Sequence, residues 1–300
     1  NRCELEGRRG SAPVRNPPPR FESGPAVTLN GHSPDFSKSS AAGPEKPALR
    51  KPSYCNGEAS GRHRQTSDSA DQHIEQKAKS LRMYIRGSSA AMESVRRQVL
   101  EVASTRATVM IWGKSGTGKE LVARAIHRYS PRSENPYLPV NMSAIPDGLA
   151  ESLLFGHVKG SFTHATQTKE GLCETADNGT LFLDEISEME ISLQPKLLRF
   201  LQEGTVRRVG AQTESRVDVR IIAASNHDPE LVIRDGKLRS DLFYRLNVVP
   251  IYLPPLCERQ EDIAELAELF LSRAVALHNR TARGFTDEAM RVLMEYDWPG

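Results

Sequence analysis

A glycine-rich loop is the segment whose residue types and spacing point most directly to chemistry. Its residues are Gly113, Lys114, Ser115, Gly116, Thr117, Gly118 and Lys119. The loop lies between an apolar run that predicts a strand and a periodic run that predicts a helix. Glycines let successive backbone N–H groups face one anion, and the helix N-terminus adds positive potential. Lys119 would reach the β- and γ-phosphates, so the sequence predicts a nucleotide site.

An acid pair further along the chain supplies the groups that the glycine loop lacks. Glu120 occupies the position at which a Ser or Thr commonly ligates Mg²⁺ in such loops, so metal ligation must depend on another carboxylate. The apolar strand predicted at 180–183 ends at Asp184 and Glu185. We expect Asp184 to hold Mg²⁺ and Glu185 to orient and deprotonate the attacking water, because phosphoryl transfer depends mainly on positioning and charge stabilisation.

From about Leu81 onward, short apolar strands alternate with helical periodicity, which predicts an α/β layer with a mainly parallel sheet. The predicted strands are 108–112, 180–183, 219–224 and 248–253. The predicted helix 120–130 places on one buried face Leu121, Val122, Ala125, Ile126 and Tyr129. A second helix carries Leu193, Leu197, Phe200 and Leu201 and stops at Gly204. After Pro254 and Pro255, the helical spacing of Ile263, Leu266, Ala267, Phe270 and Ala274 predicts a small helical subdomain, with Thr286 capping its next helix.

The N-terminal segment 1–80 differs from the rest in composition. It contains few large aliphatic residues and many Pro, Gly and Ser, so burial cannot offset its ordering entropy. We expect a disordered, basic tail or linker. The chain as a whole has a formal charge of +2, which is too balanced to indicate a polyanionic partner. It begins without Met and ends at Gly300 inside a predicted helical region, so we expect it to be a fragment.

Other classes of protein are disfavoured by the sequence. The four cysteines form no CxxC pair, so neither a zinc site nor a disulfide framework is indicated. Cys257 is interpreted as a tolerated surface residue. No apolar run reaches the length of a spanning helix or of a signal peptide. We therefore expect a soluble, cytoplasmic protein without a membrane partner.

From about residue 84 to its end, the chain resembles the AAA+ central domain of bacterial sigma-54-dependent transcriptional activators, the enhancer-binding proteins. The family's glycine loop, its Walker A motif, reads GESGTGKE, and this chain has GKSGTGKE, so only Lys114 departs. The Walker B strand GTLFLDEI at 179–186 matches as well. Further matching segments are LFGH at 154–157, LRFLQEG at 198–204 and LFYRLN at 242–247.

The resemblance implies a P-loop NTPase fold of the AAA+ type, with an α/β ATPase subdomain at 84–253 and the start of a helical lid at 254–300. It also implies roles for residues that the local pattern leaves open. Asn141 matches the asparagine that holds the catalytic Glu185 away until the partner engages, and Asn226 matches the sensor of the γ-phosphate. Arg239 and Arg245 match arginine fingers that reach the nucleotide of the neighbouring subunit. By local pattern alone, both asparagines are ordinary turn or cap residues and both arginines are surface ion-pair partners.

A further loop resembles the family's GAFTGA segment, which contacts sigma-54. Its residues are Gly160, Ser161, Phe162, Thr163, His164 and Ala165. An exposed aromatic residue flanked by glycines suits a mobile contact tip. His164 replaces a glycine of the family, and a β-carbon at a position that needs positive φ costs about 1 kcal/mol or more. The alternative that this hairpin no longer acts on sigma-54 therefore stays open.

The function implied by the resemblance is that of a Mg²⁺-dependent ATPase that hydrolyses ATP to ADP and phosphate. It would assemble as a ring, expected to be a hexamer, and remodel sigma-54 RNA polymerase holoenzyme to activate transcription. DNA binding would come from a C-terminal domain beyond Gly300. Two alternatives remain: a nucleotide-binding transcription regulator with the same domain that does not act on sigma-54, and another AAA+ remodelling ATPase with a different client.

Overall fold

The structure, a computed structural model, describes residues 75–146, 148–163, 165–279 and 281–299. The strands in these residues are β1 (Val109–Trp112), β2 (Tyr137–Asn141), β3 (Gly156–His157), β4 (Lys169–Glu170), β5 (Thr180–Asp184), β6 (Thr205–Val206), β7 (Ser215–Arg216), β8 (Arg220–Ser225) and β9 (Val249–Tyr252). The helices are α1 (75–84), α2 (Ala90–Ala103), α3 (Lys119–Arg128), α4 (Ala150–Phe155), α5 (Leu172–Thr175), α6 (Gln194–Glu203), α7 (Pro229–Arg234), α8 (Ser240–Leu246), α9 (Glu261–His278) and α10 (Asp287–Glu295). Short 3-10 helices span Met142–Ala144, Ile186–Glu188 and Leu256–Glu258.

Five parallel strands form the main sheet in the order β2-β5-β8-β1-β9. The prediction of an α/β fold with a parallel sheet and flanking helices is confirmed. Each predicted strand overlaps an observed one with bounds that differ by one or two residues. Two small antiparallel ribbons, β3-β4 and β6-β7, lie outside this sheet.

The three central strands β5, β8 and β1 are buried on both faces, which explains why they read as continuous apolar runs. In β5, Leu181 and Leu183 pack into one core cluster while Phe182 packs into the other. This alternation follows from the twofold period of side chains along a strand. Helices α2 and α3 cover the Phe182 side, and α6 and α8 contribute to the opposite side. The sheet is therefore packed between two layers of helices.

The helical predictions are correct in position and only partly correct in burial. The predicted helix 120–130 is α3, but Leu121 is 50% exposed and does not belong to its buried face. Helix α6 ends before Gly204 as predicted. Thr286 caps α10 by accepting a hydrogen bond from the Ala289 N–H at 3.3 Å. In α9 the predicted apolar stripe is only partly buried: Ile263 is buried, Leu266 and Ala267 are half-buried, and Phe270 and Ala274 are exposed.

The described part of the chain begins inside the segment that the sequence predicted as a tail. Helix α1 (75–84) starts there, and its Leu81 is completely buried in the core beside α2. The remainder of the predicted tail, 1–74, lies outside the described residues. Among the described residues, no helix is both long enough and apolar enough to cross a bilayer.

A buried carboxylate fixes the start of α9 to the start of α2. Asp262 is fully buried and accepts hydrogen bonds from the Ser89 N–H at 2.7 Å and from Ser89 Oγ at 2.9 Å. Its carboxylate fills the space in which a β-carbon on Gly87 would lie, 2.7 Å away. Arg259, also buried, lies 3.9 Å from the same carboxylate. The segment before α2 and the first turn of α9 are therefore joined by one charged group.

Removal of this carboxylate is expected to destabilise the protein substantially. Asp262→Ala leaves the two Ser89 donors without their acceptor and leaves the buried Arg259 without a counter-charge. We expect a loss of about 3 kcal/mol in the free energy of unfolding, measured by urea denaturation. The exposed neighbour Glu261, in the same helical turn, provides the matched control. Glu261→Ala should change stability by no more than about 0.5 kcal/mol, and an equal loss in both variants would contradict this role for Asp262.

Candidate functional site

The glycine loop, the acid pair and the two predicted asparagines converge at one edge of the main sheet. The glycine loop follows β1, and Asp184 ends the parallel strand β5. Asn141, at the end of β2, is paired in register with Asp184. Asn226 directly follows β8, whose Ser225 is paired with Trp112 of β1. Ligands of open parallel sheets bind at the carboxyl ends of the strands, so the fold brings these groups to the expected place.

The glycine loop is held by its own backbone and by the neighbouring strands. Gly113 has φ of +154°, and a β-carbon there would lie 2.5 Å from the Leu253 carbonyl oxygen, so no other residue fits. The Gly113 N–H donates to the Ser225 carbonyl at 3.3 Å. Thr117 Oγ1 donates to the Lys114 carbonyl at 2.8 Å and closes the loop. These contacts with its own backbone and with Ser225 and Leu253 define the shape of the loop.

Lys119 is the first residue of α3, and its ammonium is folded back into the loop. Nζ donates to the carbonyls of Gly113 at 2.8 Å and Lys114 at 3.0 Å, and the residue is 8% exposed. Burial lowers the pKa of Lys119, while the nearby charges of Asp184 and Glu185 act in the opposite direction. Lys119 thus places a cation within electrostatic reach of the acid pair, in the concavity of the loop.

Unlike the buried Lys119, Glu120 and Lys114 have exposed side chains. The Glu120 carboxylate accepts a hydrogen bond from Arg124 at 2.9 Å, one turn further along α3, and both side chains are about half exposed. Lys114, the residue that departs from the family's loop, is exposed. The structure therefore places the Glu120 carboxylate in an ion pair on the surface of α3.

A cavity of about 280 Å³ lies beside the glycine loop. One wall consists of the loop from Lys114 to Gly118, and the opposite wall consists of α9 residues, among them Leu266 and Phe270. Ile85 and Leu253 add apolar surface. A cleft with an apolar wall next to a phosphate-type loop has room for a base and a sugar beside the phosphates.

The acid pair differs in burial and backbone geometry from an ordinary loop pair. Burial raises the pKa of the Asp184 carboxyl, and the Glu185 N–H and the charge of Lys119 oppose this shift. The Glu185 N–H donates to Asp184 Oδ1 at 3.0 Å. Glu185 has φ of 52° and ψ of 49°, a left-handed conformation that costs a non-glycine residue about 1 kcal/mol. Such strain at a strand end is typical of functional sites.

The two asparagines have different hydrogen-bonding states. Asn141 Oδ1 accepts from the Ser143 N–H at 2.9 Å and from Ser143 Oγ at 2.8 Å, so it caps the 3-10 helix that follows β2. Among the hydrogen bonds of the described residues, none joins Asn141 to Glu185. Asn226 Oδ1 is buried and has no hydrogen-bond partner. An unsatisfied buried amide oxygen is costly, so Asn226 is the residue of this edge that is most in need of a ligand or water.

The donor set at this edge fits a Mg²⁺ ion carried by a nucleotide. Mg²⁺ prefers oxygen ligands and is commonly held by one or two carboxylates together with substrate phosphates. Asp184 supplies the carboxylate, and the unsatisfied Asn226 Oδ1 is a further oxygen at the same edge. No cluster of three or more His, Cys, Asp or Glu side chains suited to a metal occurs in the described part of the chain. A metal here would thus depend on the phosphates for most of its ligands.

The two predicted arginine fingers lie away from this cavity. Arg239 precedes α8 and its guanidinium pairs with Asp241, with Nη2 at 2.7 Å from Oδ2 and both side chains 45% exposed. Arg245, in the last turn of α8, donates to the Leu201 carbonyl at 3.0 Å. Within this chain, neither arginine lies at the cavity beside the glycine loop.

The loop that contains Phe162 projects from the β3-β4 ribbon. Gly160 has φ of +83° with open space around its α-carbon, and its N–H donates to the Ala165 carbonyl at 2.9 Å. Phe162 is 39% exposed, and its ring packs edge-on against His157 with centroids 4.9 Å apart. The tip therefore rests on the base of its own hairpin. His164, the residue that departs from the family pattern, lies outside the described residues.

Several residues around the site were not identified from the sequence. Arg259 donates to the Thr117 carbonyl at 3.2 Å and so connects the glycine loop to α9. Arg208 pairs with Glu174 at 2.8 Å and Glu170 at 3.2 Å, which ties the second ribbon to the base of the Phe162 hairpin. Gln194 is fully buried. For Gln194 the sequence does carry a signal, because it shares the helical face of Leu197 and Leu201.

Comparisons with known families agree with this arrangement. Residues 85–252 match the family described as the Sigma-54 interaction domain, and residues 257–300 match the AAA+ ATPase lid domain. The first match covers more than half of the chain.

Relatives with curated descriptions are regulatory proteins. The chain is 53% identical over 214 residues to the Nif-specific regulatory protein of Klebsiella pneumoniae, which is 71% of this chain and 41% of that protein. It is 51% identical over 212 residues to the DNA-binding transcriptional activator HyfR of Escherichia coli K12, covering 71% of this chain and 32% of HyfR. The chain thus spans less than half the length of these relatives.

Solved structures give the same result for the fold. NtrX from Brucella abortus in complex with ADP is similar with a TM-score of 0.67 and 37% identity, over 79% of this chain and 52% of that chain. NtrX in complex with ATP is similar with a TM-score of 0.67 and 36% identity, over 79% of this chain and 55% of that one.

Proposed function

The chain belongs to the Sigma-54 interaction domain family, and from this we propose that it is the ATPase motor of a sigma-54-dependent transcriptional activator. The observation that carries the proposal is the convergence of the glycine loop, Lys119 and the strained acid pair at one sheet edge, beside a cavity that can take a nucleoside. The reaction is the hydrolysis of ATP to ADP and phosphate.

The chemistry can be assigned to individual residues. The loop N–H groups and the Lys119 ammonium bind the β- and γ-phosphates. Asp184 would hold Mg²⁺, with Asn226 as a further oxygen ligand or as the contact to the γ-phosphate, and the bound ion would supply positive charge to the phosphate oxygens. Glu185 orients the attacking water and accepts its proton, which makes the water a better nucleophile. To Asn141, at the neighbouring strand end, we assign the restraint of the Glu185 carboxylate until the partner engages, which requires a contact other than its bonds to Ser143.

We assign the two arginines to the next subunit of a ring, which we expect to contain six copies. Their exposed guanidiniums, away from their own cavity, support action in trans. Residues 84–253 form the ATPase subdomain of each copy and residues 254–300 the beginning of its lid. A complete active site would then need two subunits, so hydrolysis would depend on assembly.

Loss of either arginine should therefore reduce turnover without reducing nucleotide binding. We expect Arg239→Ala and Arg245→Ala to bind ATP as isolated subunits with ordinary affinity. Hydrolysis should fall by about 10³-fold, because a guanidinium stabilises transition-state charge. Arg234→Ala, which removes an exposed arginine of α7, is the matched control. A specific activity that does not change with protein concentration across the assembly range would contradict the shared site.

The partner that fits the Phe162 hairpin is sigma-54 RNA polymerase holoenzyme. Phe162 offers an aromatic ring on a loop that begins at Gly160, and nucleotide-driven movement of the hairpin would push this ring against sigma-54. DNA would be bound through a further domain of the longer protein, and the whole protein would act in the cytoplasm. The two alternatives are a transcription regulator that binds nucleotide without acting on sigma-54, and an AAA+ ATPase with another client.

Capture of sigma-54 distinguishes these possibilities. The chain, loaded with a transition-state analogue of ATP, should retain purified sigma-54 on an affinity matrix, and loading with ADP should not. Phe162→Ala, which removes the contact ring and leaves the nucleotide site unchanged, should abolish retention. If the chain binds and hydrolyses ATP but captures no sigma-54, the two alternatives are favoured.

A further inference from the structure

Gln194 is a fully buried polar residue whose amide bonds to three backbone groups, two of them more than 40 residues away. Nε2 donates to the Met189 carbonyl at 3.0 Å and to the Lys237 carbonyl at 2.7 Å. Oε1 accepts from the Arg239 N–H at 2.8 Å. The side chain has no exposed surface and lies at the start of α6. Nε2 therefore donates twice and Oε1 accepts once, and these three bonds fix the position of the side chain.

These partners belong to the two segments that the proposed mechanism must coordinate. Met189 follows the 3-10 helix Ile186–Glu188, whose N-cap residue is Glu185. Lys237 and Arg239 lie in the segment that leads into α8. The amide of Gln194 therefore joins the turn after the catalytic carboxylate to the backbone that carries the first arginine finger. Only backbone groups are used, so the connection does not depend on the neighbouring side chains.

We propose that Gln194 is a positioning residue that sets the place of Arg239 relative to the Glu185 turn of the same subunit. This proposal rests on the proposed function, in which Arg239 acts on the nucleotide of the next subunit. The state of one nucleotide site would then be transmitted, through Met189 and Gln194, to the finger that serves the adjacent site. Gln194 does not line the cavity beside the glycine loop and is not itself a catalytic residue.

The local geometry explains why this bond matters for the finger. The Arg239 side chain is 45% exposed, and its ion pair with Asp241 is screened by solvent. Its backbone N–H, by contrast, is held by a buried acceptor. Arg239 is also the N-cap residue of α8 and has no side-chain capping bond. Loss of Gln194 would release the N–H, and displacement of a catalytic group by about 1 Å can cost roughly 100-fold in rate.

The first test separates catalysis from binding. Gln194→Met keeps the size of the side chain and removes its hydrogen bonds. We expect kcat for ATP hydrolysis to fall by about 100-fold while KM and the affinity for ATP stay unchanged. Gln202→Met, the same substitution at an exposed position of α6, is the matched control and should keep wild-type kcat. An unchanged kcat in Gln194→Met would overturn the proposal.

The second test uses mixed rings and has a readout that a purely structural role would not produce. A Gln194→Met subunit has an intact water-activating site and a misplaced finger, whereas a Glu185→Gln subunit has the opposite defects. Mixing the two should restore hydrolysis above that of either variant alone. Mixing Gln194→Met with Arg239→Ala should not, because neither subunit then supplies a working finger.

A control pair of variants distinguishes failure of the shared active site from failure of the positioning role of Gln194. Arg239→Ala mixed with Glu185→Gln must restore hydrolysis if the site is shared. If this pair recovers activity and Gln194→Met with Glu185→Gln does not, the positioning role is wrong and the shared site stands. If the control pair also fails, the shared site itself is wrong, and the positioning role falls with it.

Folding of the variant is checked by its ATP affinity. Gln194→Asn, which retains an amide but is shorter by one methylene, replaces Gln194→Met if the latter does not bind ATP. Its amide cannot span the same three partners, so the same loss of kcat and the same recovery in mixed rings are expected. Loss of ATP binding in both variants would assign Gln194 a structural role only and overturn the proposal.

Discussion

Glu185→Gln is expected to retain ATP without hydrolysing it. The amide has the shape of the carboxylate but cannot accept the proton of the attacking water, so kcat should fall by about 10² to 10⁴-fold. Binding should be preserved, because in the proposed site the phosphates would be held by the loop N–H groups and by Lys119. The substitution does not add backbone strain, since Glu and Gln are equally non-glycine at the left-handed φ of 52°. The measurements are single-turnover hydrolysis and equilibrium binding of ATP.

A neighbouring carboxylate provides the control for this variant. Glu188 ends the 3-10 helix that Glu185 precedes, is 37% exposed in its side chain and lies 3.5 Å from His227. Glu188→Gln removes the same charge close to the site, and it should leave hydrolysis within a few-fold of wild type. Equal losses in Glu185→Gln and Glu188→Gln would show that local charge, rather than proton transfer at Glu185, accounts for the effect.

Lys119→Ala should remove nucleotide binding itself. The ammonium is the one buried cation within the described glycine loop, and its two carbonyl contacts place it in the phosphate concavity. Charge-assisted hydrogen bonds contribute about 1.5 to 3 kcal/mol each, so the affinity for ATP should fall by roughly 100-fold or more. Calorimetric titration with a non-hydrolysable ATP analogue measures this loss directly.

The matched control removes a cation from the same helix. Arg128 lies in the last turn of α3 and is exposed, with its guanidinium 5.9 Å from the ring centroid of Tyr84. Arg128→Ala should bind ATP with nearly wild-type affinity. If Lys119→Ala retained ATP affinity while losing hydrolysis, Lys119 would belong with Glu185 in the chemical step, and the separation of binding from chemistry would be wrong.

The parts of the fold that the sequence predicted are those determined by local pattern. Strands β1, β5 and β8 are buried on both faces, so each appears as an uninterrupted apolar run, and parallel pairing follows from the helices between them. Gly204 was identified as the end of α6 because glycine there is a local signal. Leu121 shows the limit of periodicity, since a single residue at the margin of a helical face can be half exposed.

In the candidate site, too, the local motifs were predictable from the sequence and the long-range contacts were not. The glycine loop and the acid pair were identified from residue types, and their meeting at one sheet edge follows from parallel strands. The contacts of Gln194 and Asp262 were not predicted, because each joins segments far apart in sequence: Gln194 contacts residues 43 and 45 positions away, and Asp262 contacts Ser89 across 173 positions. Single Gln or Asp residues are usually exposed, so only the packed structure reveals such contacts.

The central claim is that ATP hydrolysis drives the Phe162 hairpin against sigma-54 holoenzyme, and promoter opening measures this directly. Wild-type chain, sigma-54 holoenzyme and ATP should produce open complexes on a duplex promoter, whereas Phe162→Ala should hydrolyse ATP at the wild-type rate and produce none. With ADP in place of ATP, neither protein should produce open complexes. Open-complex formation by Phe162→Ala at the wild-type level would contradict the account.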